Sequence, residues 1–207
     1  MQGCFITIEG GEGAGKSTMM DRLAGWLEIH GHRVVRTREP GGTALAEKIR
    51  TIVLDDQHAE LSSLSELLLV FASRAQHLEE LIRPALVRGD TVLCDRFTDA
   101  TWAYQGGGRR MSANWITALE NMVHGDLQPD LTLLLDLPVE QGMKRASSRG
   151  EADRIEQESL EFFERVRRAY LTRVETMNDR FEVIDASRDI DQVWSQIESI
   201  LERRLGS

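Results

Sequence analysis

Five short apolar segments lie along the chain, and none shows strict alternation of polar and apolar positions. They are rich in leucine or β-branched residues and cover residues 5–8, 34–36, 91–94, 131–135 and 181–184. A strand that is buried on both faces has this pattern, because neither face needs polar side chains. The pattern therefore predicts five buried β-strands.

Longer segments between the strands carry apolar residues at helical spacing. Because strands alternate with helices, the pattern predicts an α/β fold of three layers, a five-stranded parallel sheet with helices on both faces. No proline-rich linker or internal repeat interrupts the chain, so we expect one domain over residues 1–207. The predicted helices cover residues 17–30, 64–88, 113–124, 139–148, 159–177 and 190–205.

Composition and charge narrow the class of protein. With 41% hydrophobic and 29% charged residues the chain is ordinary for a globular protein, and its net charge of −9 argues against a broad nucleic-acid-binding face. The N-terminus lacks the features of a signal peptide, and no apolar run is long enough to span a membrane. Cys4 and Cys94 belong to no CxxC motif, as expected of buried thiols in a reducing compartment. We expect a cytoplasmic protein.

A glycine-rich segment follows the first predicted strand and precedes the first predicted helix. Residues 10–17, GGEGAGKS, match the phosphate-binding pattern G-x-x-x-x-G-K-[ST]. The glycines let backbone amides converge on phosphate, Lys16 can reach the β- and γ-phosphates, and the Ser17 hydroxyl can bind Mg²⁺. The predicted ATP-binding residues are Gly10, Gly11, Glu12, Gly13, Ala14, Gly15, Lys16, Ser17 and Thr18.

The third predicted strand ends in Asp95 and Arg96. Ligands of open parallel sheets bind at the carboxyl ends of the strands. Asp95 is placed to bind Mg²⁺ or a water of its shell, and Arg96 to bind a phosphate. The alternative is a structural ion pair at a strand end.

An arginine-rich segment surrounds Gly150 between two predicted helices. It contains Arg145, Arg149 and Arg154, and residues of about 145–157 could form a mobile lid over the transferring phosphate. A solvated, salt-bridged helix surface explains the same composition equally well. The guanine-reading motif N-K-x-D is absent after the glycine-rich segment, which counts against a GTPase.

Several longer phrases resemble the bacterial thymidylate kinases, and they extend from the first strand to the closing helices. The resemblance implies the P-loop kinase fold of the nucleoside monophosphate kinases, transfer of phosphate from ATP to dTMP to give dTDP, a requirement for Mg²⁺, and a homodimer. The phrases are FITIEGGEGAGKS at residues 5–17, REPGGT at 38–43, FASRAQH at 71–77, DRFTDATWAYQGGGR at 95–109 and PDLTLLLDLP at 129–138.

The resemblance also assigns residue roles. It implies that Lys16, Asp95, Arg96, Arg149 and Arg154 are catalytic, with Ser17 and Asp95 at the metal. Glu12 would contact the sugar 3′-hydroxyl, Phe71 would stack on thymine and Arg74 would donate to its edge. Tyr104 would lie against C2′ of the sugar, and Arg96 would bind the dTMP phosphate. The full set implied to bind dTMP is Glu12, Arg38, Arg50, Phe71, Arg74, Arg96, Thr101, Tyr104 and Gln105.

Alternatives stay open at two levels. Phe71 and Tyr104 could simply pack in the core, and residues 67–71 could lie at a dimer face or in the core. At the level of function, a deoxynucleoside kinase would need a carboxylate base, for which Glu12 and Glu39 are candidates. An ATP-binding regulatory module would keep the phosphate-binding segment but would not need an arginine lid.

Overall fold

The computed structural model describes residues 3–55, 60–147, 153–177 and 179–206. Its centre is one parallel sheet with the strand order β2-β3-β1-β4-β5. All five strands lie where the apolar segments predicted them, so the predicted α/β architecture is confirmed. The strands are β1 (Cys4–Gly10), β2 (Val34–Arg38), β3 (Thr91–Asp95), β4 (Leu131–Asp136) and β5 (Phe181–Asp185).

Strand β1 lies at the middle of the sheet, and the order of the strands reverses around it. Ile8 in β1 pairs with Asp95 at the end of β3, and Gly10 pairs with Leu135 near the end of β4. The carboxyl ends of three neighbouring strands therefore meet at one edge. A crevice opens at such a reversal point because successive connections leave in opposite directions.

Helices cover the sheet on both sides. Two segments with π-helical hydrogen bonds, Leu78–Ile82 and Trp102–Gly108, extend α3 and α5. None of the described helices is both long and apolar enough to cross a membrane. The helices are α1 (Lys16–Ile29), α2 (Ala44–Leu54), α3 (Ser63–His77), α4 (Arg83–Val87), α5 (Thr98–Thr101), α6 (Ala113–Val123), α7 (Val139–Ala146), α8 (Leu160–Thr176) and α9 (Ile190–Leu205).

Three of the described helical segments were not among the predictions: α2, α5 and the Trp102–Gly108 segment that extends α5. Helix α2 begins with a capping bond, in which the Thr43 hydroxyl accepts from the amide of Ala46 at 3.4 Å. The segment after α5 contains three consecutive glycines, which disfavour a helix on propensity alone. Tertiary packing overrides this preference, since a Cβ on Gly107 would lie 2.6 Å from Cβ of Ala169 in α8. Glycine thus lets this segment approach α8 closely.

The core occupies both faces of the sheet, and the side chains alternate between them. Ile6, Ile8 and Leu133 point toward α1 and α9. Phe5 and Val92 point toward the segment from α3 to α4 on the other face. A third cluster fills the space between β4, α8 and the Trp102–Gly108 segment. Both faces are apolar along β1, β3 and β4, so these strands show no polar alternation. The edge strands β2 and β5 are only partly buried, which corrects the prediction of five buried strands.

We predict that Leu133→Ala lowers the free energy of unfolding by about 2–5 kcal/mol, because Leu133 is fully buried on the central face and its truncation leaves a cavity. Chemical denaturation measures the loss. Ile29→Ala is the control, since Ile29 is 85% exposed and its truncation should change stability by less than about 0.5 kcal/mol. Equal losses in the two variants would contradict this account of the core.

Candidate active site

A cavity of about 210 Å³ opens at the edge where the strands end. The phosphate-binding loop and the first turn of α1 form one wall, and residues 95–97 form the floor. Side chains of α3, α5 and the Trp102–Gly108 segment form the opposite wall, and residues 153, 155 and 156 close one side. The cavity thus joins a phosphate-binding loop to a second wall that could hold another molecule.

Lys16 lies folded back along the loop. Its Nζ donates to the carbonyl oxygens of Gly10 at 3.1 Å and Gly11 at 3.0 Å. Burial lowers the pKa of Lys16, because the charged ammonium is partly removed from water. Helix α1 starts directly after Gly15, so the first amides of the helix lie at the cavity wall. Anions bind well at such an end.

Helix α7 supports the loop from behind. Gly13 has a φ of +68°, and a Cβ there would lie 1.9 Å from the carbonyl oxygen of Gly142 in α7. Glycine is therefore required at this position both for the backbone conformation and for the close approach. Any shift of the loop away from α7 would break the close contact between Gly13 and Gly142.

Arg96 lies across the floor of the cavity in an unusual backbone conformation, with a φ of +69°. Its Nη1 donates to the Gly10 carbonyl at 3.0 Å, and its Nη2 donates to Glu12 Oε1 at 2.8 Å. The guanidinium also lies 4.8 Å from the centre of the Tyr104 ring, whose hydroxyl donates to Glu12 Oε1 at 2.8 Å. A strained backbone persists only where surrounding contacts hold it. The structure thus brings together three residues that the resemblance placed around one acceptor.

Glu9 supports this floor and was missed by the sequence analysis. Its carboxylate accepts from the Phe97 amide at 2.7 Å and from the Tyr170 hydroxyl at 2.8 Å. Complete burial, followed by the charge of Asp99, raises the pKa of Glu9 to about 8. A carboxylate at the end of an apolar strand was the one signal that could have identified it.

Asp95 lies beside the loop with one oxygen unsatisfied. Its Oδ1 is buried and has no hydrogen-bond partner among the described residues. Ser17 lines the same cavity. A carboxylate oxygen and a hydroxyl are oxygen ligands of the kind that Mg²⁺ prefers. These two residues therefore fit the predicted metal site.

Arg74 is fully buried and held from two sides. Its Nε donates to Glu39 Oε2 at 2.7 Å, and its Nη2 donates to the Thr101 hydroxyl at 2.9 Å. Its Nη1 has no partner within the described part of the chain, and Arg74 lines the cavity. Burial acts to raise the pKa of Glu39, but Arg74 and His77 outweigh it and lower that pKa. Arg74 is thus a fixed cation with an unused donor.

The structure places Phe71, which was predicted to stack on thymine, in a core cluster and outside the cavity lining. Phe71 packs with Leu67 and Ile116 between α3 and α6, and Val70 lines the cavity instead. Val70 lies one helical turn before Arg74, so the two side chains share a face of α3. The alternative interpretation, that Phe71 and residue 67 belong to the core, fits the structure.

The remaining predicted acceptor residues divide into two groups. Arg50, Thr101 and Gln105 line the cavity, and Arg50 Nη1 donates to the Pro40 carbonyl at 2.9 Å. Arg38 does not line it, because its guanidinium pairs with Glu47 at 2.8 Å in a separate groove beside Ser17 and Asp95. Arg38 therefore lies on the outer side of the site, and its contact with dTMP stays a prediction.

Of the two predicted lid arginines, Arg154 lies within the described residues. Arg149 lies outside the described residues. Arg154 is nearly buried: its Nε donates to the Val53 carbonyl at 2.9 Å, and its Nη2 pairs with Glu66. It does not line the cavity.

Comparisons with known proteins agree with this geometry. A family model described as thymidylate kinase matches residues 8–197. The thymidylate kinase of Pseudomonas putida strain F1 is 57% identical over 201 residues, which are 97% of this chain and 96% of the relative. That of Pseudomonas syringae pv. syringae strain B728a is 55% identical over 205 residues, 99% and 98% of the two chains. A crystal structure of thymidylate kinase from Ehrlichia chaffeensis superposes with a TM-score of 0.79 at 35% identity, covering 98% of this chain and 99% of that one.

We predict that Gly13→Ala abolishes measurable ATP binding, because the new Cβ collides with the Gly142 carbonyl and pushes the loop out of shape. Isothermal calorimetry with ATP measures the effect. Gly25→Ala is the control, since nothing lies within 4 Å of a Cβ at that position and Gly25 lies in α1, outside the loop. Similar ATP affinities for both variants would show that the contact with α7 does not shape the loop.

We also predict that Glu9 makes stability depend on pH. The carboxyl has a pKa of about 8 in the folded protein and an ordinary value of 4.5 in the unfolded chain. Between these values the folded state binds more protons, so the free energy of unfolding falls as pH rises. Denaturant titrations of the wild type and Glu9→Gln from pH 5 to 8.5 should therefore diverge, with the wild type losing stability relative to the variant. Parallel profiles would contradict the raised pKa.

Proposed function

The chain belongs to the thymidylate kinase family, and on that premise we propose that it transfers a phosphoryl group from ATP to dTMP, forming ADP and dTDP. One structural observation supports the proposal independently of the match to the family. A single cavity joins the phosphate-binding loop to a wall formed by Arg74, Thr101 and Gln105, and Arg74 Nη1 is a buried donor without a partner among the described residues. A donor nucleotide at the loop would therefore face an acceptor at that wall.

Lys16 and the loop amides would hold the phosphates of ATP at the donor end. Phosphate oxygens would replace the loop carbonyls as partners of Lys16 Nζ, which costs little because both are oxygen acceptors. Ser17 and Asp95 would hold Mg²⁺, which when bound would neutralise charge on the phosphates. The unsatisfied oxygen of Asp95 supports this assignment.

At the acceptor end Arg96 would bind the phosphate of dTMP, while Glu12 and Tyr104 would contact the sugar. Arg74 Nη1 would donate to a carbonyl oxygen of thymine. Val70 and Phe97 line the cavity near Arg74 and offer apolar surface to the base. Because Arg74 is held by Glu39 and Thr101, little entropy is lost when it meets the base.

The transfer itself needs alignment and charge more than proton abstraction. A phosphate oxygen of dTMP attacks the γ-phosphorus of ATP, a new P–O bond forms, and the bond to the β–γ bridging oxygen breaks, leaving ADP. The attacking oxygen is already ionised near neutral pH. Positioning by Arg96 and charge from Lys16 are the contributions of the described residues. We retain Arg149 as a proposed lid arginine on its position in the sequence alone.

A deoxynucleoside kinase is disfavoured by the state of the candidate bases. Both oxygens of Glu39 are engaged, one by Arg74 and the other by His77 at 3.1 Å. Glu12 accepts from Arg96 and from Tyr104. Glu39 would have to give up Arg74 or His77 before it could act as a base for a sugar hydroxyl.

We further propose a homodimer and a cytoplasmic location. Helices α3 and α6 share a buried cluster around Phe71 and Ile116, and each also carries large exposed apolar side chains, as interaction surfaces often do. The free thiols of Cys4 and Cys94 suit a reducing compartment. The exposed apolar residues are Leu64 and Leu68 on α3, and Trp115 and Met122 on α6.

A coupled ADP-release assay tests the proposed reaction. We expect turnover with dTMP, weaker turnover with dUMP by roughly 10–200-fold because one methyl contact is lost, and little with UMP or dCMP. The amino group of dCMP would face Arg74 Nη1 donor to donor, and the 2′-hydroxyl of UMP would crowd Tyr104.

Thymidine and a reaction without acceptor are the controls for reaction class, and Lys16→Met is the control for the donor site. Lys16→Met should lose turnover by orders of magnitude while keeping its thermal stability. Faster turnover with thymidine than with dTMP, or equal turnover without any acceptor, would overturn the proposed reaction.

A further inference from the structure

A buried carboxylate outside the proposed chemistry connects two walls of the cavity. Glu66 in α3 is 1% exposed and accepts from three side chains at once. Gln105 Nε2 donates to Oε1 at 2.8 Å, Arg109 Nη2 donates to Oε2 at 3.1 Å, and Arg154 Nη2 also donates to Oε2. Gln105 and Arg109 belong to one segment and Arg154 to another, and both segments are far from Glu66 in sequence, so Glu66 is a point where separate elements meet.

Two of these donors belong to walls of the active-site cavity or to segments that build them. Gln105 lines the cavity directly. Arg154 anchors residues 153–158, because its side chain donates to the Val53 carbonyl and its amide donates to the Leu54 carbonyl at 3.1 Å. Arg109 holds the same segment by pairing with Glu158. Asp153, Ile155 and Glu156 of that segment line the same cavity. Glu66 therefore bonds to both walls.

The carboxylate is well suited to hold these donors. Burial acts to raise the pKa of Glu66, but hydrogen bonds from Gln105, Arg154 and Arg109 outweigh it and lower that pKa. An ionised carboxylate has only acceptor sites, so it can serve all three donors. A glutamine at this position could not, because its amide group would turn a donor toward either Gln105 or the arginines.

We propose that Glu66 is a positioning residue that couples the Gln105 wall of the acceptor cavity to residues 153–158. The inference rests on the proposed function, since it takes dTMP as the molecule that contacts Gln105. Acceptor binding restrains Gln105, Glu66 transmits the restraint to Arg154, and residues 153–158 become more ordered. Arg154 then acts through Glu66 as an anchor of this segment, a role that differs from the catalytic one implied by the sequence.

Hydrogen exchange of the full chain, with dTMP alone as the probe, tests the coupling. In the wild type we expect dTMP to slow amide exchange in residues 153–158. In Glu66→Gln we expect no slowing at saturating dTMP and a KM for dTMP raised by at least about tenfold, because a charged hydrogen-bond network is broken. The KM for ATP should change much less.

Asp90→Asn is the matched control. Asp90 is also a buried carboxylate, paired with Arg33 and Arg88, but it lies at the opposite end of β3 from the cavity. This variant should lose stability and keep the dTMP-dependent slowing of exchange. If Glu66→Gln behaves as Asp90→Asn does, with slowing retained and the KM for dTMP unchanged, then Glu66 is merely structural and the inference fails.

Arg154→Ala keeps the inference testable if Glu66→Gln does not fold. We expect this variant to lose the slowing of exchange and to raise the KM for dTMP, and the double variant with Glu66→Gln to be no worse than the more impaired single variant. A loss of kcat above about 100-fold, with KM and the slowing both unchanged, would instead make Arg154 catalytic and overturn the inference.

Calorimetry of dTMP with the wild type distinguishes failure of the proposed function from failure of the coupling through Glu66. Absence of dTMP binding would overturn the proposed function together with this inference. Binding of dTMP without slower exchange in residues 153–158 would overturn the inference and leave the proposed function standing.

Discussion

The alignment of strand ends around β1 is the constraint on which the site depends. Because Ile8 pairs with Asp95, the last residue of β3, the Asp95–Arg96 pair lies beside the final residues of β1, where the phosphate-binding loop begins. The strand order reverses here, so helices leave on opposite sides and the cavity opens between them. The apolar faces of β1, β3 and β4 secure this register, since a shift by one residue would turn buried side chains to the wrong face. Core packing thus sets the distance between the donor loop and the acceptor floor.

Buried carboxylates then fix the cations that the strands bring together. Glu39 holds Arg74, Glu12 contacts Arg96, and Glu66 holds Arg109 and Arg154. Each arginine is long and loses rotamer freedom when it is ordered, and these pairs impose that cost during folding rather than during binding. This arrangement also explains how a chain with a net charge of −9 can bind anions. The positive groups are few, local and held in place by acids behind them.

The sequence was sufficient for the features that depend on local pattern. The five strands, the phosphate-binding loop and the position of Asp95 and Arg96 at a strand end follow from apolar runs, glycine spacing and parallel topology. It was insufficient where the outcome depends on which side of a helix meets which neighbour. Val70 and Phe71 are adjacent apolar residues on α3, and only the position of α6 decides that Phe71 enters the core and Val70 faces the cavity. The role of Glu66 could not be predicted for a related reason. Its donors at residues 105, 109 and 154 are far from it in sequence, and no local pattern brings them together.

The pairing of acids with arginines determines which of these interactions change when a substrate binds. Among the described residues, the cations that line the cavity are Lys16, Arg50, Arg74 and Arg96, and they would repel one another if no acids were near them. With Glu12 between Arg96 and Tyr104, the floor is neutralised until a phosphate arrives. A phosphate carries more charge than the carboxylate and can accept from the same guanidinium in two directions. The phosphate therefore competes favourably with Glu12 for Arg96. Arg74 stays paired with Glu39, because both side chains are buried. The partly buried Arg96–Glu12 pair can rearrange to take the phosphate, and the fully buried Arg74–Glu39 pair stays fixed to select the base.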